Sequence, residues 1–228
     1  MPQGVVRADL GESGTMEAAI AAVLHENGVY DVFPNEVLEQ ALAIPQEVDM
    51  GTAGKRLDLR DKLIFTIDGD DAKDFDDAVS LEKLENGHYL LGVHIADVSH
   101  YVTPDSPLDA EAFRRGTSVY FPGHVVPMLP FALSNGICSL NPDEVRLTFS
   151  ALITLKPSGE IEGFRFVKSS IRSRVKGVYS EINSILDQTA SPQILEKYAQ
   201  LIPQIKWMQQ LAQILRARRF DRGAMNIS

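Results

Sequence analysis

One cysteine, Cys138, stands in 228 residues, so the chain can form no internal disulfide and no cysteine-built zinc cage. Its apolar neighbours suit a small buried side chain. No apolar run approaches the roughly 18 residues needed to cross a bilayer. Met1-Pro2-Gln3-Gly4 lacks the basic-then-apolar order of a signal peptide, so the expected location is the cytoplasm, with no membrane partner. Internal repeats and low-complexity tracts are missing too. Basic residues are the minority: 22 Lys and Arg against 31 Asp and Glu leave a net charge of -9. A polyanion is usually held by clustered Lys and Arg, so this total by itself argues against a nucleic-acid partner.

With 44% hydrophobic and 23% charged residues, the composition is that of an ordinary soluble globular protein able to build a core. The distribution of charge weakens the objection to nucleic acid. Six of the 31 acids fall within the ten residues from Asp68 to Asp77. Arg165, Lys168, Arg172, Arg174 and Lys176 form a basic stretch without an acid, and Arg216, Arg218, Arg219 and Arg222 form a second. Each cluster reads equally well as a solvated face.

Met16 to Asn27 reads as a helix capped by Thr15, with a stripe of Ala, Ile, Val and Leu and with Gly28 as its stop. A second short helix follows Pro34. From Ile44 to Arg60 the periodicity fails and Pro45, Gly51 and Gly54 mark a linker. Leu63 to Ile67 is a β-favouring run that ends at Asp68-Gly69, so the first acid belongs at a strand's carboxyl end. Ala78 to Leu81 and Tyr89 to Val98 read as strands joined through the turn dipeptide Asn86-Gly87. Pro107 to Arg115 reads as a helix with Ser106 as N-cap and Gly116 as terminator. Ser118 to Phe121 is a short strand, and the loop through Pro122, Pro127 and Pro130 is expected to be irregular. Leu147 to Leu155 and Ile161 to Ile171 form a hairpin around Pro157-Ser158-Gly159. Tyr179 to Leu186 and Ile194 to Phe220 read as helical, with a break near Pro203. The expected fold class is α/β of the mixed α+β kind: a mixed, largely antiparallel sheet flanked by helices.

Ile67-Asp68-Gly69-Asp70-Asp71-Ala72-Lys73-Asp74-Phe75-Asp76-Asp77-Ala78 places six carboxylates beside one lysine. Two carboxylates ~4 Å apart repel by about 4 kcal/mol at an effective dielectric of about 20, so converging ones must be solvated, protonated or bound to metal. A hard, oxygen-preferring ion such as Mg²⁺, or Mn²⁺, suits them, and such ions catalyse phosphodiester hydrolysis. The alternative, a merely solvated acidic loop, is weakened by the apolar runs Leu63-Ile64-Phe65 and Ala78-Val79 that tie the acids to buried strands.

Two other motifs can be tested on the letters. An EF-hand loop counted from Asp68 fails, because Ala72 and Lys73 occupy its fifth and sixth positions. Asp74-Phe75-Asp76 resembles the paired aspartates of aspartyl-phosphate phosphatases, but no apolar strand immediately precedes the pair.

Thr66-Ile67-Asp68-Gly69 followed by Asp74-Phe75-Asp76-Asp77-Ala78 resembles the signature of the RNase II/RNase R family. Further matches follow in order: Ile95-Ala96-Asp97-Val98-Ser99, the segment from Gly116 to Pro122, Pro127-Met128-Leu129-Pro130, and the segment from Ser134 to Pro142. The RNase R branch is the more similar. The resemblance implies an RNB-type catalytic domain and a hydrolytic exoribonuclease that degrades single-stranded RNA from the 3′ end to nucleoside 5′-monophosphates. It implies Asp68 and Asp77 as metal ligands, Asp74 as a further acid of the metal site, and Asp76 as the aspartate most needed for chemistry. Tyr120 matches the aromatic residue that packs against a base near the cleaved end. Asp70 and Asp71 receive no catalytic role, and His94 and His100 read as packed or surface residues.

The resemblance divides the chain into leader helices and linker over residues 1–55 and the amino-terminal part of the catalytic domain over residues 56–228. The carboxyl-terminal half, which in the family contributes an arginine-rich motif and a second stacking aromatic, is then a missing partner, and the chain reads as truncated. The alternative function is an inactive RNA-binding or assembly module that keeps the fold.

Overall fold

A computed structural model describes residues 5–6, 8–51, 53–121 and 123–225. In chain order the helices and strands are α1 (Met16–Glu26), α2 (Asn35–Ala43), β1 (Leu57–Asp58), β2 (Ile64–Asp68), β3 (Asp77–Lys83), β4 (Tyr89–Ala96), α3 (Pro107–Arg115), β5 (Val119–Phe121), β6 (His124–Val126), β7 (Val145–Leu155), β8 (Ile161–Val178), α4 (Tyr179–Leu186), α5 (Pro192–Lys197) and α6 (Ile202–Asp221). The local signals act as their chemistry dictates. Thr15 and Ser106 accept hydrogen bonds from Ala18 N and Asp109 N, satisfying helix donors that have no partner within their own helix. Gly116 ends α3 at φ 72°, a backbone conformation that costs glycine little. Among the described residues no helix is long and apolar enough to cross a membrane.

Two compact units partition the chain. The first joins Met1–Ile44 to Val102–Phe131 and contains α1, α2, α3 and the hairpin of β5 with β6. Within it Gln40 accepts from Leu108 N, and Arg115 lies 3.6 Å from the centre of the Phe33 ring. The second unit joins Pro45–Tyr101 to Ala132–Ser228 and carries the main sheet with α4, α5 and α6.

That sheet has the order β1-β8-β2-β3-β4-β7, with β7 also pairing to β8, so the strand ladder returns on itself. The long strand β8 makes this possible. Its first part runs antiparallel to β7 and its last part runs parallel to β2, with Asp68 opposite Val178. The other neighbours in the ring are antiparallel, giving the mixed, largely antiparallel sheet with flanking helices. Gly177 permits the closure: a Cβ there would run into the Thr66 carbonyl. One core lies among Ile64, Phe75, Ala78, Ala96, Leu140, Leu152 and Ile171, and a second packs Phe65 against Ile182, Tyr198, Leu201 and Ile205.

Several local expectations change, among them the linker, whose Leu57–Asp58 pairs with β8 as β1. β8 continues past Ile171 to Val178, because its basic residues alternate with Ser, Val and Gly and so mask a strand as a charge run. The loop expected to be irregular contains β6: Gly123, at φ 75°, turns the chain so that Val125 pairs with Tyr120, while Pro122 lies outside the described residues. The break in the last helical region falls at Tyr198–Leu201, and Pro203 sits in the first turn of α6, where a missing N–H costs nothing.

A polar layer crosses the ring. His94 is 1% exposed, with Nε2 3.1 Å from Ser80 Oγ and Nδ1 2.7 Å from Ser150 Oγ. Burial pushes its pKa down from the usual 6.5 to about 4. The folded state therefore holds the ring neutral where the unfolded chain would protonate it. Stability should be full above about pH 6.5 and fall towards pH 4, by up to about 3 kcal/mol through this group. Urea midpoints between pH 8 and pH 4.5 should trace that limb, and His94→Gln should flatten it; an equally steep limb in the variant would contradict the assignment.

Candidate active site

Asp68 terminates β2 and Asp77 opens β3, so the two strands hold the ends of the acidic segment while Asp74 and Asp76 lie on the loop between them. Phe75 separates the two loop acids. It is 4% exposed and packs with Ala78, Ala96 and Leu140, which leaves its charged neighbours outside the core. The loop backbone is fixed at several points. Ala96 N donates to Asp76 O at 3.0 Å, and Leu140 N donates to Phe75 O at 2.9 Å. Phe75 N donates to the hydroxyl of buried Ser139, which in turn donates to Lys73 O, both at 3.0 Å. On the other side Lys176, from β8, donates to Asp70 O at 3.1 Å and Ala72 O at 2.9 Å. Its ammonium also lies 5.2 Å from the centre of the Phe75 ring.

The electrostatics are those of a crowd. Burial, followed by the charges of Asp74, Asp77 and Asp68, pushes Asp76 above the usual carboxylate range although its side chain reaches the surface. Burial is also the largest cause of the upward shift of Asp68; Asp77 and Asp74 add to it, and the Lys176 charge opposes it. Thr66 stands two residues before Asp68 on the same face of β2, yet its hydroxyl falls outside hydrogen-bond geometry. Both Thr66 Oγ1 and Asp68 Oδ2 are buried without a partner. An unpartnered buried carboxylate oxygen in an all-oxygen donor set fits a hard divalent cation. Among the described residues, no three His, Cys, Asp or Glu side chains are already gathered closely enough to hold an ion.

The other singled-out residues separate by location. Tyr120 lies in the first unit, on β5, with 64% of its surface exposed. Asp70 accepts from Ser180 at 3.2 Å and, like Asp71, is exposed. His94 belongs to the polar layer, and His100 packs edge-on against Tyr101. Cys138 is buried, and burial pushes its thiol up to about 12. Much of the basic material is used internally: Arg174 donates to Arg60 O at 2.8 Å, and Arg218 to Ser158 O at 3.3 Å. Arg218 and Arg219 also complement the carboxyl end of α6. Ser139 and Lys176 are the supports that sequence reading passed over. The first stood in a quoted segment and the second in a charge run, with no signal that either touches the acids.

Asp97 is a structural acid. Its pair with Arg56 spans 2.7 Å, with side chains 3% and 1% exposed. Burial works against the charge, but hydrogen bonds from Arg56 and Ser99 outweigh it and hold Asp97 below the usual range. Arg56 also donates to Ala53 O at 2.9 Å within the linker and to Thr148 O at 3.4 Å on β7, joining the linker to the sheet.

Residues 56–228 match the RNB domain model. The chain is 46% identical over 226 residues to ribonuclease R 1 of Lactococcus lactis, covering 98% of this chain and 27% of that protein. It is also 46% identical over 225 residues to ribonuclease R of Thermotoga maritima, covering 99% of this chain and 29% of that one. Mycoplasma genitalium RNase R, solved with ribose-methylated single-stranded RNA, superposes with a TM-score of 0.88 at 31% identity, over 96% of this chain and 34% of that one. The chain thus spans between a quarter and about a third of the length of these proteins.

Arg56→Met should destabilise the folded chain by about 3–5 kcal/mol, because it takes the guanidinium from the buried Asp97 charge and leaves only the more distant Lys168, at 3.9 Å. Urea unfolding at pH 7 measures this. A loss below about 1 kcal/mol, the size of an exposed pair, would show that Asp97 is solvated.

Proposed function

The chain belongs to the RNB domain family, and on that premise we propose that it carries part of the catalytic centre of a cytoplasmic, hydrolytic 3′→5′ exoribonuclease. The substrate is single-stranded RNA and the products are nucleoside 5′-monophosphates. The observation that most supports this reading is the acidic loop, where four carboxylates sit on a backbone pinned from two sides and Asp68 Oδ2 is buried without a partner.

In this reading Asp68, Asp74 and Asp77 would hold Mg²⁺, with Mn²⁺ as a substitute. When bound, the ion supplies positive charge for phosphodiester hydrolysis. Asp76 performs the part closest to the reacting atoms. Partial burial and three neighbouring carboxylates raise its proton affinity, which suits it to orient and deprotonate an attacking water. Tyr120 supplies an exposed aromatic face on which a base stacks without sequence preference. Lys176 holds backbone carbonyls of the loop, and this reading assigns the cationic groups for the phosphate to the carboxyl-terminal half of the catalytic domain.

The second reading, an inactive RNA-binding module, is favoured by the separation of the acids, no three of which are gathered into a cage among the described residues. Hydrolysis of a 5′-labelled single-stranded RNA separates the two. With Mg²⁺ the chain should shorten the RNA stepwise, EDTA should stop it, and Asp76→Asn should slow it by about 10³-fold while RNA binding persists. RNA binding by the folded chain without cleavage would favour the second reading. Tyr120→Ala should change the length of the final product, and an unaltered product ladder would remove Tyr120 from the RNA path.

A further inference from the structure

Ser139 lies 64 residues from Phe75 in the sequence and is completely buried, yet both functions of its hydroxyl are spent on the acidic loop. The oxygen accepts from Phe75 N at 3.0 Å, and the single proton has Lys73 O at 3.0 Å as its nearer acceptor, with Asn141 Oδ1 at 3.3 Å. Lys73 and Phe75 flank Asp74, so one side chain grips the backbone immediately before and after that carboxylate. Leu140 N reinforces the grip by donating to Phe75 O at 2.9 Å.

Ser139 is itself held. Its N–H donates to Gly136 O at 3.0 Å, closing the wide helical turn Ala132–Ile137, and its carbonyl accepts from Arg146 Nε at 2.8 Å. Arg146 is 4% exposed, is tethered to Glu144, and donates to Gly136 O at 3.3 Å. The support therefore runs from β7 through Arg146 and Ser139 to Asp74. A loop bearing mutually repelling acids has reason to spread, and a side-chain clamp at the peptide bonds opposes that without placing a positive charge among them.

We infer that Ser139 is a positioning residue of the acidic site, fixing Asp74 through the two peptides that flank it; this rests on the reading of the loop as a cation site. Removing only its oxygen leaves Phe75 N–H and Lys73 C=O without their partner and frees Asp74 to turn away.

Amide exchange followed by NMR on the full chain tests it, with Mn²⁺ affinity measured in parallel by calorimetry. In the wild type Phe75 N–H should exchange slowly although it lies in a loop. In Ser139→Ala it should exchange at least roughly tenfold faster while β2 amides keep their rates. Mn²⁺ should bind the variant about tenfold or more weakly, as when a ligand's outer hydrogen-bond partner is removed. Unchanged Phe75 exchange in the variant, or lost protection with unchanged Mn²⁺ affinity, overturns the inference. If the variant does not fold, the wild type decides: Phe75 exchange as fast as an open loop amide overturns it. A wild-type chain that binds no Mn²⁺ overturns the cation-site reading itself, whatever the exchange shows.

Discussion

Like charges on a short loop repel, and the second unit is arranged around holding them in place. The energy that resists their spreading does not come from cations inserted between the carboxylates. It comes from the ends of two strands, from Phe75 sunk in the core, and from neutral hydrogen bonds to the backbone at Lys73, Phe75 and Asp76. Lys176 approaches, but two of its three N–H donors go to the carbonyls of Asp70 and Ala72 rather than to a carboxylate. Burial first, and the neighbouring carboxylates after it, push Asp76 and Asp68 above the usual carboxylate range. A site built this way keeps its affinity for a divalent cation instead of satisfying its charge internally.

The ring of strands follows from the same requirement. Within the ring β8 must serve two neighbours at once, pairing with β7 early and with β2 late, to bring Lys176 and Val178 alongside the strand that ends in Asp68. Its far end is secured by Tyr198, whose hydroxyl accepts from Val178 N at 3.0 Å and donates to Glu181 at 2.5 Å. Arg56 and Asp97 close another part of the assembly, tying the linker before β1 to the chain just beyond β4. An acid in a quoted motif thus proves structural, while the acids of the loop keep chemistry available.

Legibility in the sequence tracks the range of the interaction. Helix caps at Thr15 and Ser106, the turn at Asn86-Gly87, and the strand ending at Asp68 are all decided within a few residues, and all are readable. The carboxyl half of β8 was hidden because Arg172, Arg174 and Lys176 look like a solvated run until the carbonyls that receive two of them are known. β6 was hidden between prolines. The acids themselves announce a cation site through crowding, but Ser139 is joined to them across more than sixty residues, and no local pattern encodes such a contact.

The most direct test of the claim that the acidic loop is a cation site is a Mn²⁺ titration of the ¹⁵N-labelled chain, reading paramagnetic broadening residue by residue. Amide signals from Asp68 to Asp77 should broaden first, ahead of those of α1, α2 and the β5–β6 hairpin. Broadening that begins elsewhere, or a loop that stays sharp at millimolar Mn²⁺, would contradict it.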